Sequence, residues 1–314
     1  MAILTIGFNP AVDRVLECPE FHIGGHQKAK QIARLAAGKA ANVSRALAQL
    51  GADSIATGFV GGDELEFFHE QLMLCGPGRI LCRFARVMGQ TRENISILDP
   101  KRQVETHIRD RGFSVSAEEA GLLAAKIEHE LKPGDAAVFS GSLCGGLSDG
   151  FFAGLLDRCI ALQARVVVDS SGSPLKVAAG KRIWLLKPNL EELRQLVGTE
   201  VPNAASAVRD AAGRFLANAD EVLVTRGPLG AVLLTKGGCY AARYLGKEMP
   251  VRTVGCGDHL LAGYVSEVMA GREVERALTV AVGVATARAL SGRMEEFDPE
   301  ILKGALGAIE VEKI

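Results

Sequence analysis

Short apolar runs that alternate with amphipathic helical patterns constrain the fold of this chain more than any other feature. The runs cover residues 3–6, 55–60, 136–139, 166–168, 183–186 and 222–224. Near-continuous apolar runs of this length are typical of strands buried on both faces. Between several of them lie segments, such as 43–50 and 122–131, whose apolar residues share one helix face. This alternation predicts right-handed crossovers and an α/β fold, in which a mostly parallel sheet has helices on both sides.

The segments that follow these strands are polar, and most contain glycine. They are residues 9–13, 61–63, 140–142, 169–172, 187–189 and 225–227. In open parallel sheets, ligands bind beyond the carboxyl ends of the strands. We therefore expect a polar ligand to bind along this edge of the sheet.

Two segments, at about 12–36 and 83–110, interrupt the alternation with strand-like patterns that have no helix between them. We predict that they form a small antiparallel sheet, here called the lid, inserted into a single domain of residues 1–314. A sheet of few strands cannot bury both of its faces alone. The lid is therefore expected to cover the active-site crevice, to pair with another subunit, or to do both.

The last part of the chain, from residue 256 to 314, has a helical pattern throughout. Helices are predicted from about Asp258, over about 274–290, and after Asp298. Asp298 precedes Pro299, which is typical of an N-cap followed by proline at the first helical position.

Charge and cysteine content exclude several classes of protein. A net charge of −1 over 314 residues gives no electrostatic footprint for nucleic acid or an anionic membrane. Seven cysteines, an odd number without a CxxC pair, favour reduced thiols over a disulfide framework. No apolar stretch approaches the ~18 uncharged residues of a membrane span, and the N-terminus lacks a signal-peptide pattern. We expect a cytoplasmic protein.

The motif Gly255-Cys256-Gly257-Asp258 opens a helix-like run. Its glycines permit unusual dihedral angles and a close approach to a ligand. The first amides of a helix have no internal partner and carry positive dipole character, so they suit a phosphate group. Asp258 could then accept a proton from an attacking hydroxyl, or it could simply cap the helix.

Two cationic residues, Lys39 and Arg92, are candidates for ligand contacts. Lys39 and Asn42 follow Gly38 at a helix start, where they could contact a ligand or be an ordinary solvated helix terminus. Arg92, in Thr91-Arg92-Glu93-Asn94, could hold a phosphate bidentately or be a surface residue of an edge strand. A Walker A loop is excluded, because Ala33 and Ala40 replace its glycine and its hydroxyl residue.

Later motifs leave a metal site and a nucleotide site open. Asn189 and Glu192 have the spacing of a helix capping box, or they could lie beside Mg²⁺, which touches few protein oxygens directly. The turn at residues 225–231 predicts a hairpin whose backbone could also contact a nucleotide. The six histidines form no i,i+4 pair that would suggest zinc, and no Gly-x-Ser-x-Gly elbow is present.

Taken together, seven motifs in order carry a family resemblance that extends over essentially the whole chain. They lie at residues 9–13, 38–43, 58–63, 91–94, 140–143, 187–192 and 255–258. In this set the chain resembles the ribokinase-like (PfkB) carbohydrate kinases, and within them the branch of 1-phosphofructokinase and tagatose-6-phosphate kinase. The resemblance implies a Rossmann-type three-layer sandwich with a β-sheet lid, often dimerising through the lid, and transfer of the γ-phosphoryl group of ATP to a sugar hydroxyl.

The resemblance also implies a role for each candidate residue. Asp258 is similar to the catalytic base, and the amides of Gly255, Cys256 and Gly257 to the anion hole. Substrate contacts are implied for Asp13, Gly38, Asn42 and Asn94, with Lys39 and Arg92 as ligands of the substrate's phosphate. Asn189 and Glu192 resemble groups near Mg²⁺, and Lys187, Thr225, Gly227 and Gly230 resemble nucleotide contacts.

The chain departs from the family pattern at several positions. Ala36-Ala37 replaces glycines at the expected lid hinge, and Cys144 stands where proline is common. Cys256 replaces an alanine, either as a small side chain or as a thiol whose pKa is lowered at a helix N-terminus. His259 follows Asp258 and could have a packing or a catalytic role.

The sequence thus predicts a kinase of a phosphorylated ketohexose, with fructose 1-phosphate as first candidate, that uses ATP and Mg²⁺. Tagatose-6-phosphate or fructose-6-phosphate, an unphosphorylated sugar, or a nucleoside are alternative substrates. A sugar-phosphate sensor without catalysis is a further alternative. A homodimer formed through the lid is also expected.

Overall fold

A computed structural model describes residues 1–76 and 78–314 of the chain. Its larger sheet has eleven strands, six of which begin and end close to the predicted apolar runs. The strands are β1 (Ile3–Gly7), β4 (Ser54–Gly61), β5 (Ile80–Cys82), β6 (Ala85–Val87), β9 (Ala136–Ser140), β10 (Arg165–Asp169), β11 (Ile183–Leu186), β12 (Ala219–Thr225), β13 (Ala231–Thr235), β14 (Gly238–Tyr244) and β15 (Ile309–Lys313). The predicted strands at the six apolar runs are therefore confirmed.

The strand order is β15-β14-β13-β12-β11-β10-β9-β1-β4-β5, with β6 also paired to β4. Pairs from β5 to β12 are parallel, whereas β12, β13, β14 and β15 pair antiparallel. Parallel strands need crossover connections, which the intervening helices provide. The carboxyl ends of β1, β9, β10 and β11 thus meet at one edge of the sheet. The loops that carry the polar motifs follow these strands at the same edge.

Ten helices surround the sheet in the described part of the chain. They are α1 (Lys39–Gln49), α2 (Leu65–Cys75), α3 (Ala117–Glu130), α4 (Asp149–Ala161), α5 (Ser173–Ala179), α6 (Leu190–Val197), α7 (Ala205–Ala212), α8 (Cys256–Met269), α9 (Val274–Leu290) and α10 (Pro299–Leu306). Successive side chains of a strand point to opposite faces. Leu4 accordingly packs in a core with α3, α4, α6 and α7, and Ile3 in a core with α1, α8 and α9. The predicted three-layer α/β sandwich is confirmed.

A separate four-stranded sheet forms the lid, with the order β3-β2-β7-β8. Its strands are β2 (Ala11–Glu17), β3 (Lys30–Ala37), β7 (Arg92–Asp99) and β8 (Val104–Arg109). All six residues of β8 are exposed. The lid therefore lies outside the three-layer sandwich, as a sheet formed by two inserted segments.

Three expectations about strands were wrong in detail. The lid sheet is mixed rather than antiparallel, because β2 and β7 pair parallel. Residues 85–87 were assigned to the lid, but they form β6 and extend β4 of the large sheet. The end of the chain is not helical throughout, since β15 closes the large sheet beside β14. In each case the pairing partner is distant in sequence, so local patterns carry no information about it.

Among helices in the described part of the chain, none combines the length and apolar character needed to cross a lipid bilayer.

Candidate active site

The N-terminus of α8 presents free backbone amides at the edge of the sheet. Gly255 precedes the helix with φ of 81°, in the left-handed region that favours glycine, and no side chain caps the helix. The amides of Asp258 and His259 both donate to the carbonyl of Gly255, at 3.1 Å each. The amides of Cys256 and Gly257 precede these bonds and have no intrahelical acceptor. This arrangement can receive an anion, as the motif predicted.

Asp258 lies in the first turn of α8 and is only 5% exposed. Its Oδ2 accepts a hydrogen bond of 2.7 Å from Nδ2 of Asn42 on α1. Burial, and then the nearby carboxylate of Asp169, raises the pKa of Asp258 to about 7. A carboxylate with a pKa near neutrality can accept a proton from a hydroxyl at physiological pH.

Asp169, which was not among the predicted site residues, joins two of the predicted cations. It ends β10, and its side chain is 1% exposed. Its Oδ1 lies 3.0 Å from Nζ of Lys39 and its Oδ2 lies 3.1 Å from Nζ of Lys187. Burial opposes ionisation, but Lys187 and Lys39 outweigh it and lower the pKa of Asp169. The available signal was its position, an aspartate at the carboxyl end of a buried strand.

The two lysines are fixed beside α8 by this carboxylate. Burial disfavours the charge of Lys39, but Asp169 and Asp258 outweigh burial and raise the pKa of Lys39 above its ordinary value. A Cβ atom on Gly257 would lie 3.6 Å from Nζ of Lys187. The ammonium group of Lys187 therefore lies beside the amide cradle of α8.

A cleft of about 390 Å³ separates the lid from α8. Asp13 and Asn94 line it from the lid, and Asn42 and Gly255 line it from the opposite side. Nδ2 of Asn94 donates to Oδ1 of Asp13 at 2.8 Å, and burial raises the pKa of Asp13. Asp258 is not itself among the residues that line the cleft, but it accepts a hydrogen bond from Asn42, which does line it.

Arg92 begins β7, two residues before Asn94, and contacts the turn that follows β1. Its Nη2 donates to the carbonyl of Asn9 at 2.9 Å and its Nε to that of Pro10 at 3.2 Å. Gly38 packs on this turn, since a Cβ there would lie 3.2 Å from Cα of Pro10. Arg92 and Gly38 thus contact one turn from two elements, whereas the ammonium of Lys39 is bound to Asp169. Nη1 of Arg92 makes no protein hydrogen bond among the described residues.

Asn189 and Glu192 form the capping box of α6. Oδ1 of Asn189 accepts from the amide of Glu192, and Oε2 of Glu192 accepts from the amide of Asn189, each at 2.8 Å. Burial raises the pKa of Glu192. In the described ranges no cluster of three or more His, Cys, Asp or Glu side chains could hold a metal alone. The donor set fits an ion such as Mg²⁺, which retains waters and phosphate ligands and needs few protein oxygens.

The predicted nucleotide contacts come together next to this capping box. The amide of Thr225 donates to the carbonyl of Pro188 at 3.1 Å, which joins the segment before α6 to the turn after β12. That turn is the predicted hairpin, since β12 and β13 pair antiparallel. Gly227, with φ of 60°, faces open space, whereas a Cβ on Gly230 would lie 1.9 Å from the carbonyl oxygen of Ala242. Gly230 is thus required by packing, and Gly227 leaves room for a ligand.

The departures at Cys256 and His259 have structural explanations. Burial raises the pKa of Cys256 to about 11, so the alternative of an activated thiol with a lowered pKa is wrong. Burial also lowers the pKa of His259 to about 4. Its Nδ1 lies 2.9 Å from the carbonyl of Gly255, and its ring contacts that of Phe297 edge-on. These contacts support the packing role of His259.

Comparison with known proteins gives concordant results. The family described as pfkB family carbohydrate kinase matches residues 7–297. The chain is 30% identical over 302 residues to 1-phosphofructokinase of Bacillus subtilis (strain 168), covering 96% of this chain and 97% of that protein. It is 30% identical over 267 residues to tagatose-6-phosphate kinase of Staphylococcus epidermidis, covering 84% of each. Phosphofructokinase-2 from Escherichia coli in complex with fructose-6-phosphate shares the fold, with a TM-score of 0.89, 23% identity and 98% of each chain covered.

Proposed function

Because the chain belongs to the pfkB family of carbohydrate kinases, we propose that it transfers the γ-phosphoryl group of ATP to a hydroxyl of a phosphorylated ketohexose. Family membership, which the sequence motifs predicted, makes the protein a phosphotransferase with an alcohol group as acceptor. Fructose 1-phosphate is the first candidate substrate, with fructose 1,6-bisphosphate as its product. The observation that carries the proposal is the buried carboxylate of Asp258, with a pKa of about 7, beside free amides of α8.

Asp258 acts in this proposal as the general base. The substrate hydroxyl enters the cleft between the lid and α8, where Asp13, Asn42 and Asn94 offer hydrogen-bond partners. Asp258 accepts the hydroxyl proton as the hydroxyl oxygen bonds to the γ-phosphorus of ATP, and the bond from that phosphorus to the β,γ-bridging oxygen breaks, so that ADP leaves. Such an acid–base contribution typically amounts to about 10²–10⁴-fold in rate.

Backbone amides and lysine residues stabilise the negative charge that phosphoryl transfer spreads over the phosphoryl oxygens. The amides of Cys256 and Gly257 and the ammonium of Lys187 face the same region. ATP supplies the phosphoryl group, and Mg²⁺, near Asn189 and Glu192, would neutralise phosphate charge when bound. The segment around Thr225 and Gly227 would hold the nucleotide, and Gly230 would support that segment by packing.

Lys39 and Arg92 support a substrate that already carries a phosphate group. Arg92 keeps Nη1 available while its other nitrogens bind the turn at Asn9 and Pro10. Two relatives that are 30% identical are named for kinases of sugar phosphates. Tagatose-6-phosphate and fructose-6-phosphate are therefore the second candidates, ahead of unphosphorylated sugars and nucleosides.

The first test replaces the base. Asp258→Asn preserves size and the contact with Asn42, and we expect it to lower kcat about 10²–10⁴-fold in an ADP-release assay. Thermal unfolding and fluorescence titration with ATP serve as controls for folding and nucleotide binding. Near-normal turnover by the folded variant would eliminate Asp258 as the base. If the wild-type protein shows no sugar-dependent release of ADP across a broad panel of sugars and sugar phosphates, a sensor without catalysis is favoured.

The second test concerns the substrate's phosphate. Arg92→Ala is expected to raise KM for fructose 1-phosphate about 10–100-fold, because a charge-assisted hydrogen bond contributes about 1.5–3 kcal/mol. Arg14→Ala is the matched control, since Arg14 lies on the same lid sheet but pairs with Glu93 at 3.1 Å. Equal KM values for the two variants would argue against a phosphorylated substrate held by Arg92.

A further inference from the structure

Arg45 on α1 is a buried charge that the proposed mechanism does not use. It is 1% exposed, so its guanidinium must be satisfied by protein groups. Nη1 lies 2.9 Å from Oε2 of Glu295, and Nη2 donates to the carbonyl of Ala36 at the end of the lid. Nη1 also donates to Oδ1 of Asn42 at 3.3 Å. Arg45 thus contacts the residue that donates to Asp258.

The amide of Asn42 is therefore held from both sides. Its oxygen accepts from Arg45, and its nitrogen donates to Oδ2 of Asp258 at 2.7 Å. A flipped amide would place its oxygen against the carboxylate and its NH₂ group against the guanidinium, and both contacts would be repulsive. The charge of Arg45 consequently selects the amide orientation that presents a donor to Asp258.

Glu295 in turn fixes the position of Arg45. It lies in the segment 291–298, which follows α9 and lines the cleft through Met294 and Glu295. Arg288 binds the same segment, with Nη2 donating to the carbonyl of Met294 at 2.6 Å. The orientation of the Asn42 amide thus depends on the cleft wall as well as on α1.

We propose that Arg45 is a positioning residue, which together with Glu295 orients the Asn42 amide and so aligns the base Asp258. This inference rests on the proposed function, because it takes Asp258 as the base. Loss of the oriented donor leaves the ionised carboxylate with one hydrogen bond fewer, so it is less stable and less well aligned.

The test uses Arg45→Lys, which keeps a positive charge opposite Glu295 but lacks the rigid planar group that holds Glu295, Asn42 and the carbonyl of Ala36 at the same time. We expect kcat to fall about 5–10-fold, corresponding to one hydrogen bond, while KM for ATP changes less than about twofold. The acidic limb of the pH profile of kcat/KM should move upward by about 0.5–1 unit, because the hydrogen bond from Asn42 favours the ionised carboxylate.

Gln49→Leu provides a matched control on the same helix. Gln49 exchanges two hydrogen bonds of 3.2 Å with the backbone of Phe297, so it also holds the segment 291–298, but its side-chain hydrogen bonds do not involve Asn42. This variant should lower Tm without moving the pH profile. If Arg45→Lys behaves in the same way, with a lower Tm and an unchanged acidic limb, the positioning role is overturned.

Two further variants separate the possible failures. If Arg45→Lys does not fold, a double variant with Arg45→Met and Glu295→Gln removes both buried charges. Its Tm and the acidic limb of its pH profile are then measured in the same way. If Asp258→Asn abolishes turnover while the Arg45 variants leave the acidic limb unchanged, only the positioning role fails. If Asp258→Asn retains turnover, the proposed function fails and this inference fails with it.

Discussion

At the scale of single residues, the ionisation of Asp258 is set by four groups from three parts of the chain. Asp169 on β10 raises its pKa, whereas Lys39 on α1 and Lys187 after β11 lower it, and Asn42 on α1 donates a hydrogen bond. Burial outweighs the two lysines, so the pKa reaches about 7. A buried carboxylate with such a raised pKa is typical of a functional rather than a structural site.

This ionisation predicts the pH dependence of catalysis. The proposed role of Asp258 as base requires its carboxylate to be deprotonated, so kcat/KM should fall tenfold per pH unit below about 7 and level off above it. The second ionisation of a sugar phosphate lies near 6, so the two titrations can be separated. Cys256→Ala is the control, because its thiol, with a pKa of about 11, is uncharged throughout this range. An acidic limb that stays near pH 4 would contradict a raised pKa.

At the scale of elements, the edge of the sheet that carries the site depends on a close contact between β1 and β4. Gly58 pairs with Gly7 in register, and its φ is 133°. A Cβ on Gly58 would lie 1.8 Å from the carbonyl oxygen of Gly7. The nearest atoms are all backbone atoms of Gly7 in the strand β1. They cannot move away without breaking the parallel pairing of β1 and β4.

Gly58→Ala should therefore destabilise the fold by about 2–4 kcal/mol, the range of severe steric and backbone effects. Gly154→Ala is the matched control, because Gly154 lies in α4 with no atom within 4 Å of its added Cβ. That change should be neutral or stabilise by up to about 1 kcal/mol. Denaturation midpoints measure both changes, and similar midpoints for the two variants would refute the role of Gly58.

At the scale of the whole molecule, the lid exposes one of its edge strands along its whole length. Its edge strand β8 is exposed along its length and includes Val104, which is 55% exposed. An edge strand with unpaired backbone groups and apolar side chains favours pairing with another chain. We propose that two copies of the chain pair through their lids, as the family resemblance implies.

Sedimentation equilibrium of the intact chain tests this assembly. We expect a dimer, and Val104→Glu should weaken its association at least about tenfold, by placing a charge in the interface. Leu122→Glu is the control, because Leu122 is 62% exposed on α3 in the main domain. A monomeric wild type, or equal association of both variants, would exclude the lid as the interface.

The parts of the structure that depend on local sequence were predictable. Apolar runs specify the parallel strands, and residues near one another in sequence form the capping box at Asn189. The cradle at Gly255 likewise needs only the helix terminus and the freedom of glycine to adopt φ of 81°. These features arise from contacts over a few residues, so their pattern is visible in the chain itself.

Only the tertiary structure decided which distant groups share the site. Asp169 lies 130 positions from Lys39, and Asn42 lies 216 positions from Asp258. The parallel pairing of the lid and the positions of β6 and β15 also depend on partners far along the chain. No local pattern encodes such pairs, because burial and the strand order of the sheet bring them together. The sequence by itself thus determined most of the elements and the amide cradle of α8, and the fold determined which charges surround Asp258.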